Sequence, residues 1–175
     1  MSSNLARKMT IFLDLDETLV HSIPGRGGGN PGRRRVVRLE DGDSYWVMER
    51  PLAKQMIEDC RALAPTCVLS SSSQDYAMAV CEALGFGFAK GDIMGWQRFL
   101  AETQPRKYAV AETRHCPSAV LVDNALPGSW SALSKIAFLG IDPSRYLQVR
   151  TFRGKDSPHF PDEWAFLLTK LKGLL

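Results

Sequence analysis

Cysteine is scarce in this sequence, and what there is forms no metal-binding pattern. Cys60, Cys67, Cys81 and Cys116 show neither a CxxC nor a Cys/His spacing, so nothing points to a thiolate zinc site. Cys67 leads an apolar run, and Cys60 and Cys81 fall in helical patterns, which reads as buried, reduced thiols. No apolar run approaches the roughly 20 residues that a membrane helix needs. The opening MSSNLARK lacks the apolar stretch of a secretory signal. A cytoplasmic enzyme is therefore expected, with the nucleus as the other compartment open to it. Acidic residues are missing from one whole stretch. Arg26, Arg33, Arg34, Arg35 and Arg38 all precede the next carboxylate, Glu40. The overall charge of +3 is mild, so any pull on nucleic acid would come from that local cluster rather than from the chain as a whole.

What is present is ordinary for a globular chain. With 175 residues, 45% of them apolar, the sequence suffices for one domain with a proper core. We expect a single domain over residues 1–175, with a basic loop and hairpin inserted at about 24–48. Met9–Leu13 (MTIFL), Thr66–Leu69 (TCVL) and Ser118–Val122 (SAVLV) are short apolar runs ending in polar residues, the pattern of buried parallel strands. Asp41-Gly42 between β-rich flanks predicts a hairpin over Val36–Met48. Pro51 opens a helix whose apolar positions recur at Leu52, Met56, Ile57 and Leu63. Further helices are predicted over Gln74–Leu84, Gln104–His115, Ser129–Phe138 and Asp162–Leu171, and a last strand over Tyr146–Phe152. Strands alternating with helices predict an α/β fold: three layers, α/β/α, around a Rossmann-like parallel sheet.

The polar residues cluster at the strand ends. Asp14 and Asp16 follow the first strand, Ser70 and Ser72 the second, Asp123 and Asn124 the third. In an open α/β sheet, ligands sit outside the carboxyl ends of the strands, so these residues are expected to meet in one crevice. Carboxylates brought together repel unless a cation intervenes, and hard oxygen ligands without a His/Cys set suit Mg²⁺. Each has a plainer reading as well: acids in a strand-to-helix turn serve as caps, and serines form turns.

The stretch Asp14-Leu15-Asp16-Glu17-Thr18-Leu19-Val20-His21 resembles the DxDx(T/V) signature of the haloacid dehalogenase superfamily. Extended to DLDETLVHS, it is similar to the FCP/SCP-like (NLI-interacting-factor-like) small C-terminal-domain phosphatases. Glu49-Arg50-Pro51 resembles that branch's helix-opening motif, Val68–Ser72 with Tyr76-Ala77 its second motif, and Val120–Asn124 its fourth. Lys107 stands at the separation of the third-motif lysine. The resemblance implies a HAD-like fold with a minimal cap and a Mg²⁺-dependent phosphatase. Asp14 would be the nucleophile. Asp16 would act as general acid and base, with its backbone carbonyl toward the metal. Ser70 would donate to the phosphoryl oxygens, and Lys107 would compensate charge. Asp14, Asp16, Asp123 and Asn124 are the candidate metal residues, with Asn124 favoured over Asp123 for the direct contact. Thr18, Ser71, Ser72, Arg33, Arg34 and Arg35 are the candidate substrate-contacting residues, Thr18 also bracing its turn.

The insertion at about 24–48 and the stretch 90–103 are both too short for a large cap. An open site accepts phosphate displayed on something large, so phosphoserine or phosphothreonine on a protein is the expected substrate. The arginine cluster motivates a second reading, a phosphatase of nucleic-acid ends or nucleotides. A third is a catalytically weak interaction module on the same fold, against which the intact Asp14/Asp16 pair argues.

Overall fold

The computed structural model describes residues 9–25, 34–95 and 116–175; the predicted helix at 104–115, Arg33 and Lys107 lie outside them. Five strands form a parallel sheet in the order β6 (Ile93–Met94), β5 (Thr66–Leu69), β1 (Ile11–Leu13), β7 (Val120–Asp123), β8 (Tyr146–Gln148). The register aligns Leu13 with Val68 on one side and Val122 on the other. The tips of β1, β5 and β7 therefore end at one level, and Asp14, Ser70 and Asn124 emerge together. A second, antiparallel sheet runs β2 (Val20–Pro24), β4 (Ser44–Glu49), β3 (Arg35–Arg38), so the predicted hairpin gains a third strand that begins within the first motif.

Four helices flank the sheets among the described residues: α1 (Ala53–Leu63), α2 (Gln74–Leu84), α3 (Trp130–Leu139) and α4 (Phe160–Leu174). Strand alternation decides which face each helix covers. Ile11, Leu13, Val68, Val120 and Val122 pack with the buried stripes of α1, α2 and α4. Phe12, Cys67, Leu69 and Leu121 point the other way, onto Ala132, Phe138 and Leu139 of α3. This is the expected three-layer arrangement. The last strand is shorter than expected, ending at Gln148. Phe152 instead buries beside Arg50, and its backbone N–H donates to the Glu17 carbonyl at 2.7 Å, outside the ladder.

Ser73 and Ser129 cap α2 and α3, each accepting from the backbone N–H three residues on. Gly85 and Gly140 close these helices in the left-handed conformation. Cys60, Cys67 and Cys81 are buried free thiols, and burial pushes Cys60 and Cys81 up to about 12, which makes them packing groups rather than nucleophiles. Among the described residues, no helix is long and apolar enough to cross a membrane.

Arg50 ties the two sheets to the C-terminal segment. Its side chain is fully buried, with Nε donating to both Asp156 carboxylate oxygens at 2.9 Å. Nη1 donates to the Thr18 carbonyl at 2.8 Å and Nη2 to the Arg150 carbonyl at 2.7 Å. The guanidinium stacks 3.6 Å from the centroid of the Phe160 ring. A planar fork with five donors suits this role in a way that lysine does not.

Candidate active site

The turn after β1 is built to present two carboxylates. Leu19 and Val20 both donate backbone N–H groups back to the Leu15 carbonyl, at 2.9 and 3.1 Å. Glu17 adopts φ 63°, the left-handed region that non-glycine residues rarely occupy. That strained reversal is held by Glu17 N–H donating to Val20 and Phe152 N–H donating to Glu17, and by a 2.6 Å contact between His21 Nδ1 and Glu17 Oε1. It leaves Asp14 buried and Asp16 half-buried on one side of the turn.

A cavity of about 240 Å³ opens at these tips, lined by Asp14, Asp16, Ser70, Ser71 and Ser72 on one side and Asp123, Asn124, Ala125, Ser131 and Lys135 on the other. Roomier hollows, of about 290, 370 and 520 Å³, lie elsewhere, beyond β8 and against α2 and the small sheet. None of them gathers the strand-end carboxylates, so the smaller cavity is the candidate site.

Asp14 is gripped at both oxygens. Lys135 Nζ donates to Oδ1 at 2.6 Å and also to Asp123 Oδ2 at 2.8 Å. Thr18 Oγ1 lies 3.0 Å from Asp14 Oδ2. Asp123 is held at its other oxygen too, with Ala125 N–H donating to its Oδ1 at 2.8 Å. Two buried carboxylates and one buried ammonium leave a net negative charge. Burial, the largest effect, raises the Asp14 carboxyl to about 7; Lys135 opposes this, and Asp123 and Asp16 add to it. The same two carboxylates raise Lys135 above its ordinary value against the effect of burial, so the ammonium stays charged.

The Asn124 amide tests whether a cation belongs here. The amide atom turned inward lies 3.2 Å from Asp14 Oδ2 and 3.1 Å from the Asp16 carbonyl oxygen. With nitrogen inward, it donates to both. With oxygen inward, it joins Asp14 Oδ2 and the Asp16 carbonyl in a set of three hard oxygens for which the Thr18 hydroxyl supplies a single proton, the kind of donor set that Mg²⁺ takes. The residual negative charge at Asp14 favours the same ion. The residues present therefore fit Mg²⁺, with Asp14, Asn124 and the Asp16 carbonyl as holders and Asp123 committed to Lys135.

Asp16 turns its side chain the other way. Ser72 Oγ donates to Oδ2 at 2.6 Å, and Tyr76 Oη to Oδ1 at 2.6 Å. Ser22 Oγ lies 3.0 Å from Oδ1. Burial first, then the Asp16 charge, pushes the Tyr76 phenol well above its ordinary range, so it remains a donor. Ser70 is buried on the cavity wall, its Oγ accepting from Ser72 N–H at 3.0 Å.

Some predicted residues stand apart from the cavity. Thr18 is fully buried beneath the floor, where it also accepts from Asn124 N–H at 3.0 Å; it braces the site and does not line it. Arg34, just before β3, lies 6.0 Å from the centroid of the Trp46 ring, and Arg35, the first residue of β3, donates to the Ala83 carbonyl at 2.7 Å. Sequence reading missed Lys135, although a signal existed: it is the lone charge in the apolar helix WSALSKIAFL, and lysine is almost never fully buried unless paired. It also missed Tyr76 and Ser22 as partners of Asp16.

The sequence profile of the NLI interacting factor-like phosphatases matches residues 9–102. No curated protein sequence matches the chain. Among solved structures, the fission yeast RNA polymerase II CTD phosphatase Fcp1 bound to beryllium fluoride is similar in fold, with TM-score 0.55 and 13% identity over 95% of this chain and 51% of that one. A second structure of Fcp1, an essential RNA polymerase II CTD phosphatase, gives TM-score 0.54 and 14% identity over 95% and 50%. The chain thus spans about half the length of these neighbours.

Proposed function

Since the chain belongs to the NLI interacting factor-like phosphatases, with their haloacid dehalogenase-like fold, we propose that it hydrolyses phosphomonoesters through an aspartyl-phosphate on Asp14. The observation that carries this reading is the gripped carboxylate at the tip of β1. Asp14 Oδ2 faces Thr18 and Asn124. Oδ1 is left beside the Lys135 ammonium, which lies 2.6 Å away on the cavity wall.

Asp14 Oδ1 attacks phosphorus and forms the new P–O bond. The bond to the leaving oxygen breaks, and Asp16 gives that oxygen its proton. Asp16, now a carboxylate, takes a proton from water, whose oxygen attacks phosphorus in turn. The P–O bond to Asp14 breaks and inorganic phosphate leaves. Lys135, beside Asp14 on the cavity wall, compensates charge on the nucleophile and the incoming phosphoryl group; Lys107, the lysine expected in that role, lies outside the described residues. Ser70 and Ser71 supply hydroxyl donors from the β5 tip. Mg²⁺, when bound by Asp14, Asn124 and the Asp16 carbonyl, would neutralise charge on the nucleophile and phosphoryl oxygens.

The substrate we favour is phosphoserine or phosphothreonine on a protein. Among the described residues the cavity is lined by the strand tips and by Ser131 and Lys135 of α3, and no residue of the small sheet closes over it, which suits a phosphate displayed on a protein. The two structural neighbours are RNA polymerase II CTD phosphatases, which is consistent with that class. The test is hydrolysis of p-nitrophenyl phosphate with Mg²⁺, lost with chelator and in Asp14→Asn. Full activity in Asp14→Asn would remove the nucleophile assignment.

A further inference from the structure

Asp16 needs one oxygen that carries a proton and one that never does. Its surroundings make that division. Tyr76 Oη lies 2.6 Å from Asp16 Oδ1 and 2.6 Å from Ser22 Oγ, and Ser22 Oγ lies 3.0 Å from the same Oδ1. A phenol has one proton to give, and the carboxylate is the stronger acceptor. Ser22 then turns its own proton toward the phenol or toward Oδ1. In either arrangement Oδ1 is held by two hydroxyls away from the cavity, whereas Oδ2 has Ser72 alone. Tyr76 and Ser22 do not line the cavity; Ser72, which donates to Oδ2 at 2.6 Å, does. Oδ2 is therefore the oxygen on the substrate side.

We infer that Tyr76 is a positioning residue that, with Ser22, pins Oδ1 of Asp16 and assigns proton transfer to Oδ2. The inference rests on the reading of Asp16 as general acid. The geometry gives Tyr76 the rigidity this needs. The ring is buried on α2, and it packs edge-on against Tyr45 of β4 with centroids 4.9 Å apart. Ser22 sits on β2, paired to Val47 of that same β4. The orientation of the acid is thus fixed jointly by α2 and by the inserted small sheet, elements that contribute nothing to the metal side of the site. A carboxyl free to rotate would present either oxygen, or neither, to the leaving group, and misorientation of a catalytic group is costly.

The test compares kcat/KM for phenyl phosphate and p-nitrophenyl phosphate, because the more basic phenolate depends more on a proton donor. Tyr76→Phe keeps the ring and its packing and removes the hydroxyl. The expected result is a kcat/KM for phenyl phosphate that falls about tenfold more than that for p-nitrophenyl phosphate, a fraction of what general acid catalysis typically supplies. Ser22→Ala, on a half-buried strand position, should discriminate in the same direction and guards against a folding defect in Tyr76→Phe. Equal losses on both esters in both variants would overturn the inference. Asp16→Asn separates the levels. If it penalises both esters equally, Asp16 is not the acid and the inference falls with it. If it discriminates while Tyr76→Phe and Ser22→Ala do not, only the positioning role falls.

Discussion

Lys135 Nζ reaches Asp14 Oδ1 at 2.6 Å across 121 positions of sequence. The contact places an ammonium from α3 beside the proposed nucleophile at the tip of β1, and a further 2.8 Å contact enlists Asp123. Removal of Lys135 would leave two buried carboxylates facing each other. We predict that Lys135→Met lowers kcat on p-nitrophenyl phosphate by about 100-fold or more, the scale of losing one preorganised electrostatic contact. Lys135→Arg should not restore it, because the planar fork does not fit a point-charge site. An unchanged rate in Lys135→Met would return the role to a lysine elsewhere.

Asn124 and Asp123 should separate cleanly as metal contacts. Asn124 faces Asp14 and the Asp16 carbonyl, whereas Asp123 is committed to Lys135 and the Ala125 N–H. Asn124→Ala is expected to raise the Mg²⁺ concentration for half-maximal thermal stabilisation by about tenfold or more. Calorimetry of Mg²⁺ binding checks it independently of turnover.

Metal-free stability should depend on pH through Asp14. Its carboxyl is raised from 3.8 to about 7 by burial, so the native state holds the proton more tightly than the unfolded chain. The sign follows: stability is highest on the acid side and falls as pH climbs from about 4 through about 7. Tm measured without metal across that window should fall more in the parent protein than in Asp14→Asn, which has no carboxylate to ionise there.

Arg50 is a structural linchpin with a line to the site through the Thr18 carbonyl. Arg50→Ala strands Asp156 and should cost about 3–5 kcal/mol, the range for breaking a buried ion pair by removing one partner. Chemical denaturation measures this directly. Arg50→Lys should recover only part of it, since lysine cannot serve Asp156, Thr18 and Arg150 together.

Arg34, just before β3, and Arg35, its first residue, lie away from the cavity. Their joint replacement by alanine is expected to lower kcat/KM for a phosphopeptide relative to that for p-nitrophenyl phosphate. A selective, salt-dependent loss on an end-phosphorylated oligonucleotide instead would favour the nucleic-acid reading.

Much of the scaffold was legible because its signals are local. The apolar runs at Met9–Leu13 and Thr66–Leu69 and the helix over Gln74–Leu84 carry their pattern within a few residues, and they form β1, β5 and α2 at nearly those bounds. Strand β2 was not legible. Val20–Pro24 begins inside the motif, and its partners on β4 run from Tyr45, opposite Pro24, to Glu49, opposite Val20, too far along the chain for a local signal.

The sequence by itself determined the family, the alternation of central strands with helices, and the carboxylates that end β1, because periodicity and a dense motif are properties of neighbouring residues. Only the tertiary structure brought the Lys135 ammonium to Asp14 and the Ser22, Ser72 and Tyr76 hydroxyls to Asp16. Lys135 and Tyr76 come from helices 121 and 60 positions away, and no local pattern encodes a contact made only when the sheet brings strand ends and helices together.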